Sequence, residues 1–213
     1  LHGFLGTSRD WEKIAYELPF PCIAFDLPGH GASPFTEDFF AAFLEETRDL
    51  APFHLIGYSM GGRLAEQFAL RHPEKIASLI LLSTHPGLKS EEERKKRLDK
   101  DRELANKILE IPIDAFLKEW YDQPLFRPLT SKMDIRSMRN KQDREGIAKA
   151  LVAFSLGKQE RAVANAHRLI GEYDEAYRAH YRDCPHTVIP NAGHAVHLEN
   201  PQAVARNIYD LSM

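Results

Sequence analysis

The chain has almost no cysteine. Its 213 residues hold two, Cys22 and Cys184, on separate predicted elements, which excludes a disulfide framework and offers no metal-ligand spacing. No metal is expected. Charge of one sign is lacking as well: 28 basic against 31 acidic residues leave a formal net charge of −3, so no global field favours nucleic acid or an anionic membrane surface. Long apolar runs are absent too. The longest stretch, "IASLILL" at 76–82, falls far below the roughly 20 residues that cross a bilayer. The opening "LHGFLG" carries no basic region and no signal-type apolar core, so the expected location is the cytoplasm, with both thiols reduced. The composition leaves the oligomeric state open.

What is present suits one globular domain with an insertion, because 43% hydrophobic content can fill a buried core. Short apolar runs alternate with longer helical patterns, which predicts an α/β fold around a mostly parallel sheet flanked by helices. Strands are expected at 21–27, 53–59, 76–83, 168–171 and 186–190. Helices are expected at about 8–18, 37–50, 60–72, 174–182 and 201–212. His72-Pro73 stops the third helix, since the residue before a proline avoids the α region. Asn200-Pro201 opens the last, as N-cap and first helical residue. Residues 86–158 break the alternation. They hold no convincing strand, read as three or four helices punctuated by Pro86, Pro112, Pro124 and Pro128, and are expected to form a helical cap on a core of 1–85 and 159–213.

The sharpest local signal is "GYSMGG" at 57–62, where a strand turns at once into a helix. Such a turn forces its central residue to positive φ and brings strand and helix backbones so close that the flanking positions must be small. Gly57 and Gly61 meet that demand around Ser59. The hydroxyl is then exposed at the sheet edge, with the Met60 N–H facing any oxyanion that develops.

A serine is inert without a base, so a carboxylate and then a histidine are expected later in the chain. Asp174 in "LIGEYDEAY" follows a short apolar strand, with Glu172 and Glu175 as neighbouring carboxylates and helix capping as its alternative role. Among ten histidines, His194 alone follows Ala-Gly in the loop after the predicted last strand. His197 reads as its packing or hydrogen-bonding neighbour. The His-Gly turn of "LHGFLG" suits a second oxyanion donor, the N–H of Phe4 rather than that of Leu5, while His2 reads as a structural hydrogen-bonder. Asp26 in "DLPGHGAS" reads as a carboxylate that ties down its own loop.

This elbow, acid and histidine resemble the α/β-hydrolase superfamily over nearly the whole chain outside the insertion. A narrower likeness rests on "GYSMGGRLA", "HPGL" with an Arg-rich helix beyond it, "WYDQPLF" and "AGHAVHLENP", which together resemble the SHCHC synthases of menaquinone biosynthesis. That resemblance implies a cofactor-free lyase that removes pyruvate from SEPHCHC, a cyclohexene carrying several carboxylates, to give SHCHC. It further implies that Ser59, His194 and Asp174 relay a ring proton, and that Tyr58, Arg63, Arg97, Trp120 and Arg139 line the pocket, with Arg136 as an alternative to Arg139. It also implies that strands precede the His-Gly turn, and it makes "RAVANAHRLIGEYD" a short approach to the acid.

Guanidinium groups suit such a ligand independently, because their planar forks bind carboxylates bidentately. Arg63 lies four residues after Ser59, on the same helix face. A carboxylester or carbon–carbon bond hydrolase working through an acyl-Ser59, and a ligand-binding relative without turnover, are the competing expectations.

Overall fold

The computed structural model describes residues 1–159, 161 and 164–212; residues 162 and 163, in the short approach to the acid, lie outside it. Four strands, β1 (Phe53–Tyr58), β2 (Ile76–Leu82), β3 (His167–Gly171) and β4 (Thr187–Ile189), pair in that order. Every pairing is parallel. Parallel neighbours require crossovers, and the helices supply them.

The helices in chain order are α1 (Glu12–Glu17), α2 (Phe39–Glu46), α3 (Met60–Arg71), α4 (Glu91–Glu110), α5 (Ile113–Tyr121), α6 (Arg127–Thr130), α7 (Ile135–Arg139), α8 (Arg144–Ala153), α9 (Glu175–His180), α10 (Val196–Glu199) and α11 (Pro201–Ser212). Helix α3 packs on β1 and β2, while α11 packs on α1 and touches β2. The core runs along Leu79–Leu82, Leu64, Ala65, Phe68, Leu169 and Ile189, all buried. A buried aliphatic side chain of this kind contributes about 1.5–3 kcal/mol.

Local chemistry sets the helix ends as expected. His72 caps the end of α3 before Pro73, and the Asn200 side chain accepts the N–H of Ala203 at 3.2 Å at the start of α11. Between β2 and β3 no described residue is in a strand. Five helices, α4–α8, fill that interval, one more than the largest number expected, because Pro124 and Pro128 divide the middle into a 3-10 turn and the four-residue α6. Helix α4 opens on a capping box, in which Ser90 and Glu93 satisfy each other's N–H groups, and packs along α8.

The strand expected at 21–27 does not form. Leu1 lies along the outer edge of β1, donating to the Ile56 carbonyl at 2.6 Å and accepting the Tyr58 N–H at 2.9 Å. Below it an apolar trough of about 450 Å³, lined by Ile14, Leu18, Phe20, Phe25 and Phe43, separates residues 20–25 from Phe53–Ile56. The run 21–27 therefore lacks a partner for a hydrogen-bonded ladder, and hydrophobic character alone does not make a strand.

Candidate active site

The turn from β1 into α3 places Ser59 at φ 50°. The two expected glycines are sterically required. A Cβ on Gly57 would stand 2.6 Å from both the Gly61 carbonyl oxygen and the Gly62 Cα, and one on Gly61 would stand 2.2 Å from the His2 carbonyl oxygen. The Ser59 N–H is held by the Leu82 carbonyl at 3.0 Å, which fixes the elbow to the end of β2. Opposite it, a turn closes with the Gly6 N–H on the Gly3 carbonyl at 2.9 Å and Leu5 at φ 63°. His2 accepts the Leu27 N–H at 2.9 Å, and Asp26 accepts the N–H groups of Ser8 at 2.6 Å and Ala32 at 2.9 Å. No loop hydrogen bond among the described residues uses the N–H of Phe4 or Met60.

His194 Nε2 lies 3.3 Å from Ser59 Oγ, and its Nδ1 lies 2.7 Å from Asp174 Oδ2. Both His194 and Asp174 are buried. Asp174 also caps α9, its other oxygen accepting the Tyr177 N–H at 3.4 Å, so the capping and orienting readings hold together. The competing carboxylates are exposed, and Glu172 accepts the Asn191 N–H at 2.8 Å. His197 is a packing residue: it stacks on Trp11, lies 4.2 Å from the Tyr58 ring, and neither ring nitrogen has a hydrogen-bond partner. Burial keeps it neutral, well below the usual histidine range.

Ser59 and His194 line a small enclosed cavity of about 40 Å³ with Phe4, Tyr58, Trp120 and Arg139. Arg136 is exposed and lies elsewhere. The Arg139 guanidinium is already paired, with Nη2 at 2.8 Å from the buried Asp10 carboxylate.

Arg63 and Arg97 are not among the residues lining this cavity. Arg63 is buried and donates to the Phe154 carbonyl at 3.1 Å and to Gln159 Oε1 at 2.5 Å. Burial lowers its pKa to about 10, which leaves it cationic at neutral pH, with uncharged acceptors among the described residues. Arg97 Nε bridges both oxygens of Asp101 at 2.9 and 3.0 Å, and Asp101 also accepts the Ser155 hydroxyl at 2.7 Å. The two guanidiniums lie close enough to repel, Arg97 adding to the drop at Arg63.

The roles of four residues beside His194 escaped the reading from sequence. Glu199 accepts the Gly193 N–H at 2.7 Å and the Ala195 N–H at 3.0 Å, clamping the backbone on either side of His194. The only hint was its place in "HLENP". Lys132 donates to the carbonyls of Asn191 and Glu199, and Pro128 crowds Gly193, where a Cβ would stand 2.8 Å from the proline ring. Tyr177, one turn into α9, sets its ring 4.4 Å from that of His194.

The chain belongs to the alpha/beta hydrolase family, whose model matches residues 1–207. Within that family it is 37% identical over 226 residues to 2-succinyl-6-hydroxy-2,4-cyclohexadiene-1-carboxylate synthase of Enterobacter sp. (strain 638), spanning 96% of this chain and 87% of the relative. Its structure is similar to that of MenH from S. aureus, with a TM-score of 0.86 at 28% identity over 99% of this chain and 90% of the other. It is also similar to a malate-bound thermophilic esterase from Thermogutta terrifontis, with a TM-score of 0.79 at 25% identity over 99% and 86%.

Proposed function

We propose that this protein is a SHCHC synthase, a lyase that removes pyruvate from SEPHCHC in menaquinone biosynthesis. The observation that carries the reading is the 37% identity to a relative of that name across 96% of the chain, joined to a serine–imidazole–carboxylate relay at 3.3 and 2.7 Å. His194 accepts the Ser59 proton while the serine oxygen takes the ring proton. The electrons of the broken C–H bond form a ring double bond, the C–O bond breaks with its own pair going to the leaving enolate of pyruvate, and a proton equal to the one His194 gives up converts that enolate to pyruvate. Charge that builds on a conjugated oxygen meets the N–H groups of Phe4 and Met60. Asp174 orients the imidazole and stabilises its cationic form.

Arg63 and Arg97 answer substrate carboxylates, and Tyr58 and Trp120 shape the wall. Residues 86–158 act as the cap. Arg139, held by Asp10, positions the cavity wall and contributes to the local field. No step calls for a cofactor or metal, and the same reading places the enzyme in the cytoplasm with a small polycarboxylate as its ligand.

A coupled assay for pyruvate release from SEPHCHC, run beside a neutral ester, tests the reaction class. Pyruvate release that falls by about 10³ or more in Ser59→Ala is expected. Rapid ester turnover with a burst and no pyruvate would favour the second reading, acyl-Ser59 hydrolysis, to which the esterase likeness points. Unaltered activity in Ser59→Ala would remove the relay from consideration and leave a ligand-binding role. Arg63→Ala is expected to raise KM and lower kcat for the polycarboxylate while sparing the neutral ester.

A further inference from the structure

Around Tyr177, whose ring lies 4.4 Å from that of His194, lies a second group of donors. His85, in the loop after β2, accepts the Gly87 N–H on Nδ1 at 3.0 Å, which leaves Nε2 as the free donor of a neutral ring. The His180 ring meets it edge-on at 4.3 Å, and Tyr177 lies 5.8 Å from His180 and 6.1 Å from His85. Gly87, at φ 96°, brings the chain of Arg161 onto the same loop: a Cβ there would stand 2.5 Å from the Arg161 Cα.

The charges of this group do not cancel. Burial first, then His180, Arg63, Arg97 and Arg161, push His85 down to about 3. Burial, Arg161 and Lys89 lower His180, and Asp174 acts the other way. Among the described residues the nearby carboxylates Asp174 and Asp101 are committed, the first to His194 and the second to Arg97 and Ser155. Among the described residues Arg63 pairs directly with no carboxylate, donating to a carbonyl and an amide oxygen while Asp101 acts on it only through its field, an arrangement that an incoming anion relieves.

We propose that His85, His180 and Arg161 form an outer subsite that holds one carboxylate of the ligand, past Tyr177 from the reacting serine. The proposal rests on the polycarboxylate reading above and extends it to residues outside the expected arginine set. The reacting carbon sits at Ser59, one anionic arm lies along Arg63 and Arg97, and the outer arm takes the His85 Nε2–H and the Arg161 fork.

Calorimetric titration with succinate and pyruvate-release kinetics, each on the whole protein, test it. Arg161→Gln removes an exposed charge. His85→Asn keeps an acceptor for the Gly87 N–H and deletes the Nε2 donor. Lys89→Gln removes a nearby charge from outside the subsite. Each of the first two is expected to weaken succinate about tenfold and to raise KM about tenfold with kcat largely retained, while Lys89→Gln changes either value less than twofold. An equal loss in Lys89→Gln would reduce the effect to a general field and overturn the subsite. So would unchanged succinate affinity in Arg161→Gln and His85→Asn, a fall confined to kcat, or an absence of succinate binding to the unaltered protein. If that protein released no pyruvate while the first two substitutions alone still weakened succinate, the lyase reading would fail and the subsite would stand.

Discussion

Glu199 fixes the backbone that carries His194 without lining the cavity itself. Its carboxylate satisfies two buried N–H groups that flank His194, and each such group costs about 1–3 kcal/mol when left unpaired. Glu199→Ala is expected to lower kcat about 10- to 100-fold with KM little changed, because a base displaced by a fraction of an ångström loses its alignment; Glu199→Gln, which keeps an acceptor oxygen, should recover part of the loss in the pyruvate assay. Arg139 and Asp10 make the opposite case. Removing one buried partner strands the other, so Arg139→Met should cost about 3–5 kcal/mol in denaturant unfolding, with Asp10→Asn added to it restoring a good share. The positions of Ser59, Asp174 and His194 were legible because their order and their places after strands are written locally. Glu199 was not, since its partners are backbone amides that no residue pattern displays. Nor was the Asp10–Arg139 pair, whose members lie 129 positions apart.

Among elements, the turn from β1 into α3 is the most tightly specified. Gly57→Ala would press a methyl group to within 2.6 Å of the Gly61 carbonyl and the Gly62 Cα, both backbone and unable to swing aside. A loss of about 1–3 kcal/mol is expected, read as a lower unfolding midpoint accompanied by a falling kcat as the Ser59 hydroxyl shifts. Four of five expected strands and all five expected core helices are present, because periodicity, prolines and caps act within a few residues. The run 21–27 has the composition of a strand and lacks its neighbour, and pairing is a property of two segments. Between β2 and β3 the helical character was legible, whereas the division around Pro124 and Pro128 depended on how short pieces pack.

At the scale of the whole molecule, buried imidazoles set the response to acid. The folded protein keeps His30 neutral to about pH 4 and holds His2 and His197 well below the usual range by burial, while the unfolded chain protonates each near 6.5. Below that value the unfolded state binds more protons, so stability is full above pH 6.5 and is lost as pH falls toward the folded pKa. Going from pH 7 to 5.5 should cost about 1 kcal/mol for each of the three. His197→Phe, which keeps the stacking between Trp11 and Tyr58, should flatten the slope of unfolding free energy against pH by close to one proton. Charge balance and the missing cysteine framework were legible at this scale; the depth at which each histidine lies was not.

Of the contacts between residues 86–158 and the rest of the chain, one set lies beside the imidazole. Lys132, between α6 and α7, grips the carbonyls on both sides of the histidine loop, and Pro128 leans on Gly193. In the proposed enzyme, lifting that segment to admit a ligand would tug the very loop that carries the imidazole, so entry to the cavity and the position of the proton acceptor would share one mechanical linkage.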